Sequence, residues 1–78
     1  MELDLRGQTT DEALLNVDRF IDSALMAGLH QVTIIHGKGT GALRAAVQAH
    51  LKNHPSVKNY RLGVFGEGEN GVTIAELK

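Results

Sequence analysis

Nine consecutive residues, His36-Gly37-Lys38-Gly39-Thr40-Gly41-Ala42-Leu43-Arg44, carry the densest chemistry of the chain. Three glycines at alternate positions let backbone amides approach a ligand without an intervening Cβ. The stretch follows the apolar run Val32-Thr33-Ile34-Ile35 and opens a helical pattern. A helix start adds free amides and the positive end of the helix dipole, which suits an anion such as phosphate. Lys38 and Arg44 bring formal charge, and His36 is a residue type that exchanges protons near neutral pH. The pattern predicts a phosphate site with a titratable group. Gly37, Gly39, Thr40, Gly41 and Arg44 would bind, while His36 and Lys38 are candidates for chemistry.

The elements that must position these residues follow from periodicity. Leu3-Asp4-Leu5-Arg6-Gly7 alternates apolar and polar, so it reads as a strand with Leu3 and Leu5 inward and Asp4 and Arg6 on the other face. Thr9 and Glu12 have capping-box spacing, and Leu14, Val17, Ile21, Ala24 and Leu25 form one apolar stripe, predicting a helix from about Thr10 to about Ala27 that stops at Gly28. Gln31 to His36 is rich in β-branched residues and reads as a central strand. A second helix is expected from about Gly41 to about Asn53, with Leu43, Ala46, Val47 and Leu51 inward and Arg44, Gln48 and Lys52 as a solvated stripe; Pro55 ends it. Val57 to Val64 reads as a third strand with Tyr60, Leu62 and Val64 on one face and Asn59 and Arg61 on the other. The glycine-rich turn Gly66–Gly71 then leads into Val72 to Leu77, an antiparallel return with Val72 and Ile74 inward.

The order is strand, helix, strand, helix, strand, strand. Two helices with one apolar stripe each, laid on a mixed sheet, predict a two-layer α+β sandwich. Parallel first and second strands would deliver Asp4, Arg6, His36, Lys38 and the glycine loop to the carboxyl edge of the sheet, where open α/β sheets bind ligands.

Composition narrows the function classes. The 78 residues form one domain, and Leu3 and Leu77 lie so near the ends that a module cut from a larger protein is expected. There is no cysteine, so disulfides and thiolate metal sites are excluded, and the cytoplasm is the default compartment. No apolar run approaches a membrane span, so no membrane partner is expected. The formal net charge is −1, so any attraction to nucleic acid must come from a local basic patch.

Leu3-Asp4-Leu5-Arg6-Gly7 and the His36–Arg44 stretch together resemble the two signature motifs of the Smr (small MutS-related) domain family, across essentially the whole chain. Within it the sequence looks most like the C-terminal domain of the bacterial MutS paralogue that is not a mismatch-repair protein. The resemblance implies a βαβαββ fold like the C-terminal domain of bacterial translation initiation factor three. It implies a nuclease that nicks DNA, particularly branched DNA, or cuts RNA on stalled ribosomes. Recombination suppression or ribosome rescue would be the setting, with rRNA or mRNA among possible partners. It also implies a parent protein with a dimeric ATPase core, the isolated domain being a monomer. Many Smr domains carry His where this chain has Arg6, which can grip phosphate but cannot act as a neutral base.

The expected roles follow from phosphodiester chemistry, which needs an activated nucleophile, stabilised phosphoryl charge and a proton for the leaving oxygen. His36 would carry the proton; Lys38, Arg6 and the loop amides would hold phosphate; Asp4 would orient His36 or Arg6. Asp4 could instead ligate a divalent cation, Mg or Mn, with Glu67 and Glu69 completing the site if the last turn folds back. Two other readings compete. One is a module that grips nucleic acid or the ribosome and cuts nothing. The other is a nucleotide binder, because Gly37-x-Gly39-x-x-Ala42 matches a dinucleotide fingerprint, although the usual acidic ribose partner is missing. Phe65 is the aromatic residue best placed to stack on a base; Phe20 and Tyr60 read as core.

Overall fold

The computed structural model describes all 78 residues. Its strands are β1 (Glu2–Asp4), β2 (Gln31–Ile35), β3 (Val57–Leu62) and β4 (Val72–Leu77), and its helices are α1 (Thr10–Met26) and α2 (Ala42–Lys52). A short 3-10 turn, Glu69–Gly71, precedes β4. The strands form one four-stranded mixed sheet in the order β1-β2-β4-β3. β1 runs parallel to β2, while β4 is antiparallel to both β2 and β3. Both helices lie on one face, as two apolar stripes over a single sheet require.

Local signals place the helix ends. Thr9 caps α1: its hydroxyl accepts from the Glu12 amide at 3.3 Å, and the Glu12 carboxylate reaches back to the Thr9 amide. Two amides that the helix itself leaves unpaired are thereby satisfied. Gly41 at φ 83° caps α2 without a side chain, in the left-handed region that favours glycine. A Cβ there would lie 2.9 Å from an Arg44 guanidinium nitrogen.

The core lies between the layers. Leu5, Val32, Ile34, Ala75 and Leu77 from the sheet meet Ala13, Val17, Phe20, Ile21 and Ala24 of α1 and Val47 and Leu51 of α2. Ladder register fixes this face, with Ile34 opposite Thr73 and Val32 opposite Ala75. Val72 and Ile74 therefore point away from the helices, contrary to the expected phase of that strand. They are buried all the same, because the turn 63–71 folds back over that end of the open face. Gly63 and Gly68 pack directly on Val72, so closely that a Cβ at either would lie 2.5 Å or 2.7 Å from its side chain. With both faces of β4 covered, its alternation carries no phase. Leu62 and Val64, expected inward, are exposed at 37% and 57% because β3 is an edge strand and the chain leaves the sheet after Leu62.

Away from the glycine loop, α1 and α2 are clasped. Asp18 Oδ1 lies 2.7 Å from His50 Nε2 and 3.4 Å from His54 Nε2, in a cleft of about 780 Å³ between the helices. The Ser56 amide donates to His54 Nδ1. His54 Nδ1 is therefore an acceptor, which leaves Nε2, facing Asp18, as the ring nitrogen that carries hydrogen, the reverse of what a metal-ligating nitrogen requires. No helix is long and apolar enough to cross a membrane.

Candidate nucleic-acid interface

The parallel register sets Asp4 beside Ile35, and the Leu5 amide donates to the Ile35 carbonyl at 2.7 Å. The carboxyl ends of β1 and β2 therefore share one rim, with Arg6 packed against Gly37. The pleat then divides the side chains. Asp4 and Arg6 follow the open face, whereas His36 follows Ile34 onto the helix face.

On the open side, Asp4 and Arg6 form a two-pronged pair, with Arg6 Nε 3.0 Å from Oδ1 and Nη2 2.7 Å from Oδ2. The Arg6 amide also donates to Oδ1. The Arg6 side chain, then its backbone amide, holds the Asp4 carboxyl down at about 2. Asp4 thus orients Arg6 and makes no hydrogen bond to His36. Lys38 crosses to Glu69 at 3.3 Å, and Arg61 grips Glu67 at 2.7 Å. Arg61, followed by the Val64 amide, holds Glu67 at about 2. Arg6, Lys38, Gly37, Gly68 and Gly71 line a cleft of about 340 Å³ between the glycine loop and the folded-back turn.

On the helix side, His36 is only 5% exposed and both ring nitrogens are engaged. Nδ1 lies 3.0 Å from the Gly37 carbonyl, which can only accept, so Nδ1 carries the hydrogen. Nε2 is then the acceptor for the hydroxyl of fully buried Thr73 at 2.8 Å. Gln48 Nε2 donates to the same hydroxyl oxygen at 3.4 Å. Burial pushes the His36 pKa below its ordinary value, the Gly37 carbonyl opposes this, and the nearby Arg44 charge adds to the lowering. The imidazole is neutral at physiological pH.

The loop between the two sides presents donors. The Gly37 amide is taken by the Gly71 carbonyl, but the amides of Lys38, Gly39, Thr40 and Gly41 donate to nothing within the chain. Thr40 Oγ1 accepts from the Ala42 amide and so shapes the helix entry. The first turn of α2 holds no acidic residue. Of the rim cations Arg6, Lys38, Arg44 and Arg61, only Arg44 lacks an ion-pair partner. Free amides, a helix N-terminus and an unpaired guanidinium are the ingredients of an anion site.

Three expectations change. The basic patch is largely neutralised, because three of its four cations face their own carboxylates. The metal reading does not fit: Asp4 and Glu67 are each held by a guanidinium, and no group of three His, Cys, Asp or Glu side chains is placed to hold a metal ion. The dinucleotide fingerprint lacks its setting, because β4 lies between β2 and β3 and the glycine loop does not sit in a unit of two adjacent parallel strands. Thr73 and Gln48 were not singled out from the sequence, and Glu69 was read there only as a metal ligand, not as the partner of Lys38. Gln48 lay on what reads as a solvated stripe, and Thr73 in a strand without a legible phase; neither carried a spacing signal.

An open-faced α+β sandwich with an anion-ready loop at its strand ends is the class defined by fold and site. The model of the Smr domain matches residues 3–78, and the chain belongs to that family. It is 59% identical over 78 residues to the protein named Endonuclease MutS2 of Caldicellulosiruptor bescii, covering all of this chain and 10% of that protein. Endonuclease MutS2 of Listeria welshimeri is 60% identical over 77 residues, again across 10% of its length. The chain thus spans about a tenth of these curated relatives. The crystal structure of the Smr domain of Thermus thermophilus MutS2 superposes with a TM-score of 0.97 at 44% identity, covering 99% of this chain and 96% of that one. YdaL, a stand-alone small MutS-related protein from Escherichia coli, gives 0.92 at 31% identity over 99% of this chain and 63% of that one.

Proposed function

We propose that the chain is a nucleic-acid endonuclease domain that grips a phosphodiester at the glycine loop. The observation that carries this reading is the run of four unpartnered amides, Lys38 to Gly41, beside the unpaired guanidinium of Arg44. The names of the curated relatives support it. In this reading Arg44 and the loop amides hold one phosphate. Arg6 and Lys38 hold the next by exchanging Asp4 and Glu69 for phosphate oxygens, a small loss because such pairs are exposed. A longer chain, such as an ATPase parent, would add affinity by tethering.

His36 is the candidate proton carrier, and its neutral form is the one a base requires. Neither nitrogen faces solvent as the ring stands, so transfer to a substrate requires the Gly37 carbonyl or the ring to turn. That observation also favours a second reading, a module that binds nucleic acid without cutting. Nicking of supercoiled and branched DNA, with a parallel RNA substrate, separates them. His36→Ala should lower cutting by roughly 10²–10⁴-fold with binding nearly intact. Cutting that survives His36→Ala removes the residue from the chemistry. Binding without any cutting by the unsubstituted protein establishes the second reading.

A further inference from the structure

Glu69 is the one residue other than glycine with a positive φ, 53°, a conformation that a Cβ makes unfavourable. Such backbone persists where its surroundings hold it, and it concentrates at clamps and switches. Here the turn that Glu69 opens, Glu69–Gly71, holds Lys38. A Cβ on Gly71 would lie 3.3 Å from Lys38 Cγ and 3.7 Å from Cε, so the lysine stem runs along the turn and glycine leaves room for it. The Lys38 ammonium then meets Glu69 Oε2 at 3.3 Å, the one side-chain hydrogen bond between the glycine loop and the folded-back turn. Beneath it the Gly71 carbonyl takes the His36 and Gly37 amides at 3.1 and 2.9 Å, which seats the turn on the loop.

The three ion pairs of the rim are not alike. Asp4 and Glu67 each hold a guanidinium through both oxygens. Each also accepts a backbone amide, from Arg6 and Val64 respectively, so neither carboxylate leaves its arginine without giving up a second partner. Glu69 offers one oxygen to one ammonium and accepts nothing else. Both of its groups are more than half exposed, so water and salt weaken the pair further. The cations are therefore graded: Arg44 is free, Lys38 is loosely held, and Arg6 and Arg61 are firmly held. Lys38 lines the cleft of about 340 Å³ between loop and turn. Its partner is a carboxylate, which matches a phosphate in charge sign and in hydrogen-bond acceptors.

We propose that Glu69 is an autoinhibitory carboxylate. It occupies Lys38 in place of a phosphate and releases it when a nucleic-acid backbone seated on Arg44 and the loop amides extends into the cleft. This deepens the phosphate-gripping reading above and rests on it. The test is binding of a short duplex oligonucleotide, followed by fluorescence anisotropy, for unsubstituted protein, Glu69→Gln, Lys38→Gln and the double variant, with circular dichroism to verify folding. Glu69→Asn is a second neutral variant, of a residue type that tolerates positive φ. Both Glu69 variants should bind roughly 2- to 10-fold tighter than unsubstituted protein. Lys38→Gln should cost roughly 2- to 5-fold more affinity in the Glu69→Gln background than in the unsubstituted chain, because only there is the lysine already free. Asp22→Asn, which removes the same charge from the α1–α2 cleft, should change affinity less than about twofold. Folded Glu69 variants that bind no tighter make Glu69 a support for Lys38 and overturn the proposal. An equal cost of Lys38→Gln in both backgrounds also overturns it, as a gain from net charge alone. In either case binding itself leaves the phosphate reading standing. Failure of the unsubstituted protein and both Glu69 variants to bind overturns the phosphate reading, and this one with it.

Discussion

Replacing Thr73 with valine should destabilise the domain through His36, and the size of the effect can be worked from the contacts. Thr73 is fully buried, and its hydroxyl is the donor to His36 Nε2 at 2.8 Å. Valine keeps the branched shape but leaves Nε2 without a donor, because Nδ1 must keep its hydrogen to face the Gly37 carbonyl. Leaving a buried acceptor unsatisfied costs about 1–3 kcal/mol. The Gln48 contact, longer at 3.4 Å and only half-buried, adds little, since the amide can turn to water. Extra apolar burial returns somewhat under about 1 kcal/mol. The net loss should be about 1–2 kcal/mol, which in a domain of this size lowers Tm by about 5–15 °C. Thermal unfolding by far-ultraviolet circular dichroism measures it, and ¹⁵N spectra of the His36 ring report the tautomer. Thr73→Ser, which retains the hydroxyl, should preserve the ring spectrum whatever it does to Tm. A Thr73→Val domain with unchanged Tm and an unchanged Nε2 signal would refute the account of how His36 is held.

Two further outcomes follow from the rim. Arg44→Ala should weaken binding to all nucleic acids alike and lower the slope of log K against log salt by about 1, as expected for one lost phosphate contact; titration at several salt concentrations checks it. His36 should titrate below 6.5, its ordinary value, in an NMR pH series. Because the unfolded chain takes up this proton first, the contribution of His36 to stability is complete above about pH 6.5 and is lost as pH falls from there toward the folded value. Thermal unfolding over pH 5 to 8 in unsubstituted protein and His36→Gln isolates that part. Asp4 and Glu67, held near 2, remain ionised in the folded protein over the whole range; the slope they add near pH 5, where the unfolded chain begins to protonate, is common to both proteins and cancels in the comparison.

The elements were legible where one face is buried and the other is wet. The capping box at Thr9, the stripe of α1 and the parallel delivery of β1 and β2 to one rim all follow from local spacing. The phase of β4 was not legible, because the turn 63–71 covers the face that the helices do not, and alternation disappears when both faces are dry. Leu62 and Val64 misled for the opposite reason, as apolar residues running past the end of an edge strand. For the candidate site, residue types and their shared rim could be read, but pairing could not. Nothing in the spacing shows that Lys38 meets Glu69 across 31 residues, or that His36 meets Thr73 across 37. The first contact depends on the fold-back of the last turn and the second on the register between β2 and β4, and they decide which cations are free and how the imidazole is held.

The central claim is that the anion site is the glycine loop. The direct measurement is the amide chemical-shift change of the ¹⁵N-labelled domain on adding inorganic phosphate and then a short oligonucleotide. The amides of Lys38, Gly39, Thr40 and Gly41 should shift most with both ligands, together with the Arg44 side chain. Shifts confined to the α1–α2 cleft around Asp18 and His50, with the loop amides unmoved, would contradict the account.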